Sequence, residues 1–261
     1  MLYSTIMTNL IEKSVKMNLP VKLGKVSIID VITEFRFSNK KNIEDIFMDM
    51  YSSLKVEGYS YKKLPIMELP LAIREGDKNL KYNPYYQLTK DAMNINIGPS
   101  VISFSVKGYY SGWDDYKSLI LDNMNKFNHL LLDWGLERSS MRYINFFEND
   151  KIFDNLNINI NIDDNLCGMV AASSTSIYAN EFVCKDNITL KMQIAENIEI
   201  QKEDSTEKEI GSMIDIDSFS YDIKKSVDDI IEELHSKVKI VFFNLLKDDF
   251  LKSLKPNYEK E

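Results

Sequence analysis

Val26 to Phe37 is an extended run with apolar side chains on both of its alternating faces. Ile29, Val31, Phe35 and Phe37 share one face; Val26, Ile28 and Ile32 share the other, which Glu34 and Arg36 close. A strand that is apolar on both sides belongs inside a sheet, because an edge or a solvated face leaves one set of side chains in water. Ser140 to Glu148, built around Met141-Arg142-Tyr143-Ile144-Asn145, reads as a second strand. Two helices and a hairpin fall between them, so the first half is expected to form one βαββαβ unit.

The intervening signals are local. Asn42-x-x-Asp45 has the form of a capping box, and Ile43, Ile46, Phe47, Met50, Tyr51 and Leu54 then make a helical stripe. Residues 58–85 hold Pro65, Pro70 and Pro84 with Tyr59, Tyr61, Tyr82 and Tyr85, which suggests an ordered loop with an edge strand. Met93, Ile95 and Ile97 alternate with polar residues, Gly98-Pro99-Ser100 turns the chain, and Ile102, Phe104 and Val106 resume the alternation as a hairpin. Ser111-x-x-Asp114 predicts the start of a second helix carrying Trp113, Tyr116, Ile120, Phe127, Leu131 and Trp134, with Gly135 placed to end it.

The second half differs. Residues 151–165 are rich in Asn and Asp, and three strand-like runs follow at 170–184, 188–200 and 210–219, the last two separated by the charged loop Gln201 to Glu209. Ser226-x-x-Asp229 opens a helix whose apolar face runs from Val227 through Phe250, on the order of 40 Å of continuous helix. The expected fold is therefore α+β: a ferredoxin-like βαββαβ half over residues 25–150, joined to a C-terminal antiparallel βββα half over residues 151–261 in one continuous body. Residues 1–24 form an N-terminal extension, in which Ile6, Leu10, Ile11 and Val15 are spaced for a short amphipathic helix ended by Pro20.

Composition narrows the function classes. A 44% hydrophobic content supports a real core, whereas a formal charge of −8, with no Lys/Arg run longer than two, disfavours nucleic acid as a partner. No stretch approaches the ~18 apolar residues of a membrane span. Glu12, Lys13 and Lys16 interrupt the greasy core that a signal peptide needs, so a cytoplasmic location is expected. Cys167 and Cys184 are then expected to be reduced thiols.

Four pieces of the chain resemble one family. Val31-Ile32-Thr33-Glu34-Phe35-Arg36-Phe37, Gly112-Trp113-Asp114-Asp115-Tyr116, Gly135-Leu136 leading into Arg142-Tyr143-Ile144-Asn145, and Ile214-Asp215-Ile216-Asp217-Ser218-Phe219 are similar to blocks of a sporadically distributed prokaryotic family of unknown function, with an E-x-R-F first strand and an L-R-Y-I-N strand. The resemblance covers roughly residues 25–252. Met141 departs from the family's leucine, and about twenty N-terminal residues are extra. The family supplies no catalytic residues. Its patchy distribution implies mobile islands, and hence a place in phage-defence or toxin–antitoxin loci.

Arg36, Arg142, Glu34 and Asn145 are the leading ligand candidates, since two arginines on neighbouring strands can clamp a phosphate or carboxylate. The structural alternative is an ion-pair network with Glu34 or Glu148. Asp215 and Asp217 alternate on one strand and can face a divalent cation together. The isolated His129 and His235 match no metal or catalytic spacing, nor do the two cysteines. Lys107-Gly108-Tyr109 resembles the start of an RNA-recognition motif, but the residues after it do not match. Tyr82, Tyr85, Tyr86, Tyr109 and Tyr110 can rim a binding surface or pack in the sheet. No phosphate-cradling or nucleophile-elbow motif is present. The expected function is non-catalytic binding or regulation with a protein partner encoded nearby. No cofactor and no membrane is expected, and an oligomer is compatible. A small anionic-ligand or nucleotide sensor is the alternative, followed by a metal-dependent nuclease.

Overall fold

The computed structural model describes residues 18–38, 42–127, 134–148, 151–158, 175–201, 207–222 and 224–258. The expected helix over 5–17, His129, Leu131 and Cys167 lie outside them. β1 (Lys22–Leu23) is followed by β2 (Ile28–Phe37), in which Val31, Thr33, Phe35 and Phe37 are buried on one face, as the alternation requires. α1 (Ile43–Lys55) begins where Asn42 Oδ1 accepts the Glu44 N–H at 3.1 Å. It buries Ile43, Ile46, Phe47, Met50 and Leu54.

The proline- and tyrosine-rich stretch holds more structure than a loop. It contains β3 (Ser60–Lys63), a 3-10 turn at Pro65–Glu68, α2 (Leu71–Gly76) and a second turn at Lys78–Leu80. β4 (Tyr86–Lys90), β5 (Met93–Gly98) and β6 (Val101–Lys107) then form an antiparallel meander. α3 (Trp113–Lys126) starts after Gly112, at φ +138°, with no side-chain cap. Ser111 therefore sits one place too early to cap the helix, which corrects the capping box expected there.

β7 (Leu136–Glu148) follows, then β8 (Ser176–Val183), β9 (Thr189–Gln201) and β10 (Lys208–Ser220). α4 (Val227–Leu245) is opened by a working capping box: Ser226 Oγ accepts the Asp229 N–H at 3.1 Å and donates to its carboxylate at 2.7 Å. The expected single long helix breaks near Leu246, and α5 (Asp248–Ser253) and β11 (Pro256–Asn257) follow. The break is held from outside the helix. The Asn157 amide donates to the carbonyls of Asn244 and Leu246, both at 3.0 Å, and the Lys247 N–H bonds the Asn155 carbonyl.

The protein is mixed α/β, mostly antiparallel sheet with few helices. It forms two compact units, and β7, β10 and α4 each contribute residues to both. In the first unit (29–142 and 219–235) the strand order is β3-β4-β5-β6-β2-β7. In the second (1–28, 143–218 and 236–261) it is β7-β10-β9-β8, with a separate two-stranded sheet of β1 and β11. The second unit's core includes Leu190, Met192, Ile194, Ile214, Ile216, Val238 and Phe242. Gly211 in β10 is obligatory there, because a Cβ would run into the Phe147 carbonyl and the Phe146 ring. Among the described residues, no helix is long and apolar enough to cross a membrane.

Candidate functional site: a polar sheet face in the first unit

Strand register divides the first unit's sheet into two unlike faces. Tyr86, Ile97, Ile102 and Phe35 lie in one cross-strand row, and Leu88, Ile95, Phe104 and Thr33 in the next. Helices cover this apolar face. Phe47 of α1 stacks on Tyr86 with ring centroids 4.0 Å apart, and Tyr116 of α3 donates its hydroxyl to the Phe104 carbonyl at 2.8 Å. Burial pushes the Tyr116 phenol far above its ordinary pKa, so it remains a donor.

The opposite face is a ladder of short polar side chains. Gln87, Asn96, Ser103 and Glu34 form one row, and Thr89, Asn94 and Ser105 belong to the next. Gln87 donates to Asn96 at 2.8 Å, Asn96 donates to Ser103 at 3.1 Å, and Thr89 donates to Asn94 at 2.8 Å. These bonds fix amide orientations that would otherwise be free to rotate.

At the Glu34 end the ladder meets a charged network. Glu34 Oε1 accepts from Arg36 Nε at 2.6 Å and from Arg138 Nη1 at 3.1 Å. Arg138 also donates to Ser140 at 3.2 Å and lies over the Phe219 ring, 4.2 Å from its centroid. Arg36 lies over Tyr82 at 4.6 Å, and the Tyr82 hydroxyl donates to Glu137 at 2.7 Å. That Tyr82 bond, with help from Lys81, holds the Glu137 carboxyl below its usual range.

The residues singled out from sequence separate. Glu34 and Arg36 meet, but the second arginine on Glu34 is Arg138. Arg142 is exposed and lies four residues further along β7, about 13 Å away, in the direction away from Arg36. Asn145 belongs to the second unit, where it is buried and accepts the Ser27 hydroxyl at 2.9 Å. Asp215, buried, and Asp217, half-buried, lie on β10 in that unit. Among the described residues, no group of three or more His, Cys, Asp or Glu side chains comes together to hold a metal. Cys184 is a free, half-buried thiol whose pKa burial pushes up. Of the tyrosines, Tyr86 packs on Phe47, Tyr85 lies under Arg74 at 4.9 Å, Tyr110 meets Tyr116 edge-on, and Tyr109 is exposed beside Gly108. Arg138 escaped the sequence reading because β7 begins at Leu136, four residues before the expected start.

His235 has a structural environment. It stacks on Trp113 with ring centroids 4.0 Å apart and the two planes nearly parallel, while Trp113 Nε1 and Lys117 Nζ both donate to Glu232, at 3.0 and 2.9 Å. Burial pushes the Glu232 carboxyl up, but the Lys117 and Trp113 bonds outweigh it, so it lies below its usual 4.5. A carboxyl depressed in the folded state contributes stability that is complete above its unfolded pKa and lost as pH falls through the folded value. Glu232→Gln is therefore expected to lower the melting temperature at pH 7, with the gap to wild type closing as pH drops below 4.5. Melts across that range check it; parallel curves would contradict it.

Comparisons with known proteins add little to this geometry. No family model matches the chain, and no curated protein matches it. Among solved structures, one described as "KH domains" aligns at 12% identity with a TM-score of 0.21, covering 85% of this chain and 63% of that one. At that TM-score the likeness carries no argument about fold or function.

Proposed function

We propose that the protein is a non-catalytic binding protein, cytoplasmic, that recognises a protein partner through the polar face of the first unit's sheet. The hydrogen-bonded ladder Gln87–Asn96–Ser103, running into Glu34, carries this reading. A merely solvated antiparallel face is usually lined by long charged side chains. Here the middle of the face holds short neutral amides and hydroxyls: Asn94, Ser103 and Ser105 are already buried and Gln87, Thr89 and Asn96 are half-buried, so a partner laid on them has little polar surface left to desolvate and no charge. The guanidiniums of Arg36 and Arg138 already share Glu34, which favours a structural role for that pair over an anion clamp. The phage-defence or toxin–antitoxin setting rests on the family resemblance alone. We further read β5-β6-β2-β7 with α1 and α3 as a ferredoxin-like core, supported by the strand order and the antiparallel pairing of β2 with β6 and β6 with β5. The test is co-purification and size-exclusion of the full chain with the products of its adjacent genes. A stable complex with one of them is expected; no association with any would count heavily against the proposal.

A second reading, a small anionic-ligand or nucleotide sensor, moves to Arg36. Its Nε is spent on Glu34 and its plane on Tyr82, while its terminal nitrogens make no hydrogen bond among the described residues. A thermal-shift screen with nucleotides tests this: a stabilisation that Arg36→Ala removes and Arg142→Ala leaves would support it. No shift with any nucleotide would remove it.

A further inference from the structure

We propose that β8 pairs antiparallel with β8 of a second copy of this chain, about a two-fold axis through Asn180. Among the described residues, β8 ends the strand order of the second unit and pairs with β9 alone. The Cys184 N–H donates to the Ile188 carbonyl at 2.8 Å, which makes 184 and 188 a hydrogen-bonded pair. Antiparallel ladders alternate bonded and non-bonded pairs. By the register, residues 182, 180, 178 and 176 therefore bond toward β9, and the N–H and C=O groups of Ile177, Ala179, Glu181 and Val183 point away from it. The Glu181 N–H agrees, since it bonds its neighbour's Asn180 side chain at 2.8 Å rather than a strand.

This outward edge lacks the usual protection against pairing. Edge strands are normally guarded by Lys, Pro, a bulge or shortness. β8 is eight residues long, SIYANEFV, with one charge and neither Lys nor Pro. Its Ile177 and Val183 are 63% and 74% exposed.

The strand is complementary to itself in one register. With Asn180 on the two-fold, all four outward residues enter bonded pairs: Ile177 with Val183 of the second copy, Ala179 with Glu181, and the reverse of each. The two exposed aliphatic side chains thus cover one another on one face. On the other face Tyr178 meets Phe182 of the second copy, an aromatic cross-strand pair, and Asn180 meets its own mate. Each Glu181 opposes an alanine, so no like charges stand directly opposite. An unrelated strand has no reason to match all of these at once, which is why a second copy is the occupant.

Light scattering on the full chain across a dilution series should give twice the monomer mass at the concentrated end. Ala179→Pro is the informative variant. Its N–H points away from β9, so the hairpin keeps its bonds, while the proline removes a donor from the new interface and blocks the approaching strand. It should weaken the dimer about tenfold or more. In a chain with Cys167→Ser and Cys184→Ser, Asn180→Cys should form an intermolecular disulfide on oxidation. It occupies a non-bonded pair with Cα atoms ~4.5 Å apart, within disulfide reach. Tyr178→Cys, out of register with its own copy, should not. A monomer at every concentration, a dimer indifferent to Ala179→Pro, or no Asn180→Cys cross-link would each overturn the proposal.

Discussion

Trp134→Ala is expected to cost about 3–5 kcal/mol of folding stability, the range for deleting a fully buried indole. Trp134 has no exposed surface, and its ring lies flat on Phe37 with centroids 4.2 Å apart. Its Nε1 also donates to the Pro99 carbonyl at 3.1 Å, so truncation leaves a cavity and a carbonyl without that donor. The residue thus ties the end of β2 to the β5–β6 turn just before β7 begins, and Ser38 reinforces this by donating its N–H to the Gly135 carbonyl at 2.8 Å. Urea denaturation of the variant measures the loss. A cost below about 1 kcal/mol, the scale of an ordinary surface change, would show that Trp134 does not hold this corner.

Glu34→Ala is expected to cost about 2–3 kcal/mol, somewhat less than a wholly buried pair because the network is partly open. The Glu34 and Arg36 side chains are 22% and 33% exposed, but Arg138 is only 9% exposed and loses the Glu34 carboxylate that lies 3.1 Å away. The more buried arginine, Arg138, is expected to feel the loss more than Arg36 does. The same substitution in an Arg138→Met background should cost much less, and the difference is the coupling between the two. Strictly additive losses in that cycle would mean that Glu34 and Arg138 do not act as a unit.

The sequence revealed whatever depends on local periodicity. β2 was legible because its side chains alternate strictly, and α1 and the start of α4 because Asn42 and Ser226 cap them through their own side chains. β4 was missed although Tyr86 and Leu88 alternate with Gln87 and Thr89, because Pro84 and paired tyrosines before it look like loop. The stop of α4 was invisible because the group that takes its last carbonyls, Asn157, is 87 residues away from Asn244. The polar ladder was invisible for a related reason. Gln87, Asn96 and Ser103 are unremarkable in sequence and become one row only through strand register. Glu34 and Arg36 were found because they sit in a strand whose faces could be assigned. Arg138 was not, because a strand boundary misplaced by four residues excluded it.

Whether the polar ladder is a recognition surface decides the proposed function. The direct measurement is the affinity of the captured neighbour-encoded protein for three folded forms of this chain: wild type, Asn96→Arg and Met48→Arg. Asn96 lies in the middle of the ladder, and Met48 is 59% exposed on α1, which packs on the opposite face of the sheet. If the ladder is the binding surface, Asn96→Arg weakens the complex by about tenfold or more, the size of losing a central interface contact, while Met48→Arg leaves it nearly unchanged. An undiminished affinity for Asn96→Arg, or a loss confined to Met48→Arg, would contradict it.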